Sequence, residues 1–107
     1  MEMDQLWQDA KESKRGDLVI ARLSPLWAAA VEWLRSDYLQ HPQDDKTMAD
    51  FIRVEIAADP KGWIAPYHFF WGMTTRNALR QKGFGEQEFG IINLDNVYVT
   101  LIEEAVR

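Results

Sequence analysis

Along most of the chain, apolar residues recur at three- and four-residue spacing, and Gly and Pro divide it into pieces of helix length. The first piece, from Asp4 to Lys14, places Leu6, Trp7 and Ala10 on one side. Asp4 suits its N-cap, and Lys14, Arg15 and Gly16 form a basic, glycine-terminated end. A helix this short must dock through Trp7 to persist. The stretch Asp17 to Leu23 (D-L-V-I-A-R-L) carries a β-branched pair that suits a strand. Asp17 also reads as a cap, however, and no second clear strand exists to pair with it, so a short helix is the reading.

Ser24-Pro25 then opens a helix with an N-cap serine and a proline in the first turn. From Leu26 to Leu39, one stripe (Trp27, Val31, Leu34, Tyr38) runs beside another (Leu26, Ala29, Ala30, Trp33), which predicts a broadly buried helix. His41 to Asp45 reads as a polar loop. Thr47 and Asp50 resemble a capping box for a helix from Met48 to Ala58, which presents Met48, Phe51, Ile52, Val54 and Ile56. Asp59-Pro60-Lys61-Gly62 ends it in a turn. Pro66 and Gly83 bracket a helix from Tyr67 to Lys82. Phe84 to Ile92 is a connection with room for one helical turn at Glu86 to Phe89. Asn93 or Asp95 caps the last helix, whose pattern of Leu94, Val97, Tyr98, Leu101, Ile102 and Ala105 is the cleanest amphipathic signal in the chain. The pattern predicts an all-α fold: one domain over residues 1–107, a compact bundle of four main helices plus one or two short ones.

The helix from Tyr67 to Lys82 is chemically the most distinctive. Tyr67, His68, Phe69, Phe70 and Trp71 are five consecutive rings, so its first turns are apolar on nearly every side, as in the middle of a bundle. At about 100° per residue, Leu79, Gly72, Arg76, Phe69 and Met73 share one arc, with Arg76 at its centre. A guanidinium there needs a carboxylate from another segment. Asp95, at the opening of the final helix, is the first choice; Glu55, which interrupts an apolar stripe, is the second. The pair can be purely structural, or Arg76 can anchor an anionic ligand with its planar donor fork. Gly72 in mid-helix points to close approach of another helix or ring. His68 and Asn77 complete the candidate ligand-binding set with Arg76, and no catalytic residue is assigned.

Composition removes whole classes. The chain of 107 residues has no cysteine, which excludes disulfide scaffolds, thiolate zinc sites and cysteine nucleophiles. His41 and His68 show no metal-ligand spacing, so neither metal nor cofactor is expected. No apolar run approaches a membrane span, and the acidic start (Met1-Glu-Met-Asp) is unlike a signal peptide, so a cytoplasmic protein is expected. Seventeen acidic residues against twelve basic give a net charge of −5, which argues against nucleic acid as a partner. No P-loop, dinucleotide fingerprint, nucleophile elbow or H-E-x-x-H is present, so the balance leans away from an enzyme.

His68-Phe69, Gly72-Met73, Arg76-Asn77 and Leu79, followed by Asp95 and Tyr98, form an H-F-x-x-G-M-x-x-R-N-x-L pattern. It resembles a family of small uncharacterised bacterial domains over about residues 67–102. The resemblance implies a small helical bacterial protein and carries no catalytic residues with it. Thirteen Phe, Trp and Tyr residues exceed what a small helical core requires. Exposed rings on an acidic surface suggest a protein-binding patch, with Trp7, Tyr38 and Trp63, near segment ends, as its candidates. The reading is a non-enzymatic interaction protein of the inhibitor, immunity or regulatory kind, with a partner that is itself a protein and basic. A homodimer through the aromatic surface is one alternative; a small-molecule binder or enzyme around Arg76 and His68 is the other.

Overall fold

A computed structural model describes residues 14–107, which are mainly helical. Helix α1 covers residues 14–23, α2 Leu26–Ser36, α3 Met48–Ala58, α4 Met73–Lys82, α5 Glu86–Phe89 and α6 Tyr98–Val106. The sequence-predicted helix from Asp4 lies outside the described residues, except for its end. There the expectation fails: the chain is helical through Lys14, Arg15 and Gly16, which make no break. Residues 17–23 are helical, and Asp17 sits inside α1 rather than capping it. Its carboxylate, only 2% exposed, instead accepts hydrogen bonds from the backbone of Ile92 (3.0 Å) and Asn93 (3.0 Å) and from Asn96 Nδ2 (2.8 Å). One buried acid thereby ties α1 to the segment before α6.

Ser24 Oγ accepts the Leu26 N–H at 3.1 Å, and α2 starts there. It ends at Ser36, three residues before the predicted Leu39, because Asp37 leaves helical geometry (φ −127°, ψ −73°) and a 3-10 turn follows over Tyr38–Gln40. The expected loop after His41 contains a minimal antiparallel pair, β1 (Pro42–Gln43) with β2 (Lys46–Thr47), in which Pro42 faces Thr47. Asp44 makes the tight turn with φ +58°. Thr47 Oγ1 accepts the Asp50 N–H at 3.2 Å and caps α3. On that helix Ile52 is buried, while Val54, predicted on the apolar face, is exposed.

The largest departure is between Ala65 and Lys82. The predicted single helix is a 3-10 turn (Ala65–Tyr67), a π-helical turn (His68–Gly72) and then α4. Gly83 (φ +95°) closes α4: its N–H reaches Arg80 O at 3.2 Å, and the Phe84 N–H reaches Leu79 O at 2.8 Å. Asn93 Oδ1 accepts the Asp95 N–H, capping a 3-10 turn (Leu94–Asn96) that intervenes before α6.

Helix α6 is the centre of the core. Tyr98, Leu101, Ile102, Ala105 and Val106 are buried, together with Leu94 and Val97 just before it. It packs most extensively on α2 and also touches α3. The two neighbours satisfy its terminal carbonyls: Arg35 of α2 donates to Ala105 O (3.2 Å), and Arg53 of α3 donates to Val106 O (2.7 Å). Trp27 donates to Glu104 at 2.6 Å, and its ring meets Phe89 edge-on with centroids 6.3 Å apart.

Candidate functional site

The buried face of α4 is Thr75, Arg76 and Leu79, and Gly72 at the end of the π turn continues the stripe. Phe69 and Met73, predicted on the same arc, are not part of it. The π turn adds a residue to the helical register, so ideal α-helical spacing misplaces Phe69, which lies within it, while Met73 opens α4 beside the buried stripe. Phe69 is 77% and Phe70 82% exposed, and Met73 is also exposed. The run of rings is therefore not the interior of a bundle: Tyr67, His68 and Trp71 are half-buried and the two phenylalanines project outward.

Beneath them lies a polar network. Arg76, 8% exposed, places Nε 2.6 Å from Asp95 Oδ1, and its guanidinium carbon stands 4.8 Å from the Tyr98 ring centroid. The Tyr98 hydroxyl is 2.7 Å from His68 Nδ1, and an Arg76 terminal nitrogen is 3.4 Å from the same Nδ1 and 3.5 Å from His68 O. The guanidinium can only donate, so Nδ1 can meet it only as an acceptor. Burial pushes the Tyr98 phenol up, partly offset by Arg76. Gly72 is buried against this network. A Cβ there would lie 2.6 Å from the Tyr98 hydroxyl oxygen. Close approach, not backbone freedom, explains the glycine, since its dihedrals are ordinary helical ones (φ −60°, ψ −45°).

The other candidates fall elsewhere. Glu55 is not the partner of Arg76; it lies beside Tyr67, whose phenol burial raises and the Glu55 carboxylate raises further. Asn77 is exposed and accepts from Arg80 at 2.8 Å, so it does not join Arg76 and His68. Trp7 lies outside the described residues. Tyr38 is half-buried, its ring against Trp33 and its hydroxyl 3.0 Å from Thr75 Oγ1. Trp63 is 3% exposed, since the turn after Pro60 folds its ring into the core, so it is no surface residue. Among the described residues, no three His, Asp or Glu side chains converge as a metal site would require. None of their helices is long and apolar enough to cross a membrane.

Sequence reasoning missed a second cluster. Arg80 forms a two-pronged bond to Glu86 (2.9 and 2.8 Å), and Glu86 also accepts the Leu94 N–H at 3.0 Å. Arg80 holds the Glu86 carboxyl down at about 2 against the opposing effect of burial, with the Leu94 N–H adding to the depression. Arg80 followed by Glu86 six residues on was the available signal. Among the described residues, the surface cavities include three that are well formed. One of about 130 Å³ is lined by Gln43, Met48, Phe51, Ile52, Trp63, Tyr67 and Trp71. One lies by Arg53 and Glu103 at the end of α6, and one beside the β1–β2 turn. None of the three is lined by Arg76, His68 or Asn77.

No family model, curated protein or solved structure matches this chain.

Proposed function

We propose that this chain is a non-enzymatic protein–protein interaction module of the inhibitor, immunity or regulatory kind, and that it docks through Phe69, Phe70 and Met73. The observation that carries this reading is the pair of adjacent phenyl rings held in solvent by a turn whose backbone side is packed on a buried polar network. Burying one Phe side chain is worth roughly 1.5–3 kcal/mol, so two such rings form the centre of a binding hot spot. Helices α2, α3, α4 and α6, arranged as a bundle, serve as the rigid support. The net charge of −5 favours a partner whose apolar hollow has a basic rim. On this reading the protein is cytoplasmic and bacterial; the H-F-x-x-G-M-x-x-R-N pattern resembles that of small bacterial helical domains whose function is unassigned, so it carries no role with it. In that pattern His68, Gly72 and Arg76 brace the turn, while the residues beside them meet the partner.

The rival reading, an anionic ligand or substrate at Arg76 and His68, loses its main support because Arg76 is buried and already paired with Asp95. The two are separated by capture from cell extract on the wild-type protein and on Phe69→Ser/Phe70→Ser. A protein retained by the wild type and lost by the variant, with unchanged unfolding temperature, is the expected result. Capture that is the same for both at every salt concentration overturns it, as does light scattering in which the wild type is a dimer and the variant a monomer.

A further inference from the structure

The cavity between α3 and the segment from Trp63 to Trp71 is apart from the patch just described and does not rest on it. Four of the side chains that line it are aromatic. Trp63 lies deep with Ile52, both buried, while Phe51, Tyr67 and Trp71 are half-buried and leave part of each ring accessible. Phe51 and Tyr67 stand close to perpendicular, at 75° with centroids 5.9 Å apart, as adjoining walls of a box do. The volume of about 130 Å³ is close to the roughly 150 Å³ of a cavity that takes benzene. Gln43 supplies the lining's one amide, and no lysine or arginine belongs to it.

Glu55 is the second observation. Met48, Phe51 and Ile52 line the cavity from one face of α3, and Glu55 continues that face one turn further on. This is the acid that interrupts the apolar stripe in the sequence, and Arg76 does not use it. It stands instead beside the Tyr67 phenol, which it pushes up in addition to the effect of burial. Among the described residues this half-buried carboxylate takes part in no ion pair. An acid without a counter-ion next to a ring-lined hollow favours a cationic occupant.

We propose that this cavity binds a small quaternary ammonium cation, its methyl groups against Phe51, Tyr67 and Trp71 and its charge balanced by Glu55. Each part of that description has its own reason. Aromatic rings attract cations through the negative potential of their faces, and a quaternary ammonium spreads its charge over methyl groups that also suit an apolar wall. A primary ammonium would bring three N–H donors into a lining with one amide to receive them, and would lose more hydration than it regains. An anion would meet a carboxylate and no cationic side chain. Tetramethylammonium has one heavy atom fewer than benzene, so the volume suits it.

The test uses tetramethylammonium, titrated with the full-length protein at constant ionic strength and followed by the proton resonance of its methyl groups. Two comparators separate size from charge and from donors: tert-butanol, neutral with the same number of heavy atoms, and methylammonium, equally charged but with N–H groups. Tetramethylammonium is expected to bind saturably, with its methyl resonance moved upfield by the ring faces. It should bind about tenfold more tightly than either comparator, the value of a desolvated cation–π contact. Glu55→Gln weakens it about threefold, as loss of one partly screened charge requires. Trp71→Leu, which removes one wall, weakens it about tenfold. Should Trp71→Leu not fold, the comparison of probes and Glu55→Gln decide the matter. Equal affinity for tert-butanol or methylammonium, a methyl resonance that does not move upfield, or unchanged affinity in Glu55→Gln each overturns the proposal. Phe69→Ser/Phe70→Ser retains tetramethylammonium binding whether or not the interaction reading stands.

Discussion

Replacing Gly72 with alanine tests whether the Arg76–Tyr98–His68 network is as tight as its distances imply. In an open helical position this change stabilises by about 0.5–1 kcal/mol. Here the added Cβ meets the Tyr98 hydroxyl oxygen at 2.6 Å, Tyr98 Cζ at 3.3 Å and an Arg76 nitrogen at 3.1 Å. Neither neighbour is a loose side-chain end. The hydroxyl is held by His68 at 2.7 Å on a ring that is fully buried, and the guanidinium is held by Asp95 at 2.6 Å. To make room, the ring must move by several tenths of an ångström. Overpacking of this kind costs about 1–3 kcal/mol, and loss of the Tyr98–His68 bond adds about 0.5–1.5 kcal/mol. Set against the helical gain, the net loss is about 1–3 kcal/mol. Urea unfolding followed by tryptophan fluorescence reads it directly.

Two companions make the reasoning refutable. Gly16 lies in α1 with nothing among the described residues within 4 Å of a built Cβ, so Gly16→Ala is expected to stabilise by about 0.4–1 kcal/mol. Tyr98→Phe removes the oxygen that the new methyl group would strike, so the double variant Gly72→Ala/Tyr98→Phe should be about 1 kcal/mol less damaged than the sum of the singles. If Gly72→Ala is as stable as wild type, or the two changes simply add, the close approach contributes nothing and the account of Gly72 is wrong.

Asp17→Ala removes the acceptor of three hydrogen bonds at a buried position and should lower stability by about 2–3 kcal/mol in thermal unfolding; a change within 0.5 kcal/mol would mean that α1 is not anchored there. The Glu86 carboxyl, held at about 2 against 4.5 unpaired, contributes stability that is fully present above pH 4.5 and is lost as pH falls toward 2. The nominal value of about 3 kcal/mol falls to about 1–2 after solvent screening of a partly exposed pair. Glu86→Gln should flatten the acid limb by that amount, and an unchanged limb refutes the assignment. Phe69→Ser/Phe70→Ser, at exposed positions, should leave stability within about 0.5 kcal/mol while abolishing partner capture.

What could be read from the chain follows from how local each signal was. Tyr98, Leu101, Ile102 and Ala105 are all buried, because the uninterrupted α6 converts residue spacing directly into a face, and Leu94 and Val97 are buried just ahead of it although a 3-10 turn intervenes. Arg76 announced its need for a counter-charge by standing among apolar residues, and Asp95 rather than Glu55 faces it. The failures share a cause, which is structure decided at a distance. Asp17 resembled a cap because its partners lie some 75 residues away. Thr75 carried no apolar signal, yet it is buried and its hydroxyl meets that of Tyr38 at 3.0 Å. The β1–β2 pair is too short for alternation to register. Gly16 was given the role that glycines often have at helix ends, whereas α1 simply continues through it.

The π turn is the most instructive of these failures, because it joins the two surfaces to which the proposals are attached. Tyr67 and Trp71 turn toward the Trp63 cavity, Gly72 meets Tyr98, and Phe69, Phe70 and Met73 are left outside. Five consecutive rings cannot all be buried by one helix without a neighbour on every side, and here they are divided between interior and solvent. That division depends on register. A one-residue slip toward ideal α geometry would carry Phe69 toward the buried stripe and displace the rings that line the cavity. What holds the register is the set of directional bonds at the turn's inner edge, from His68 to Tyr98 and from Arg76 to Asp95. A buried ion pair is weak evidence for stability, and its best-attested role is to select one arrangement over its near neighbours. On the proposed reading, Arg76 would act without touching a partner or a ligand, by fixing which rings the molecule keeps and which it presents.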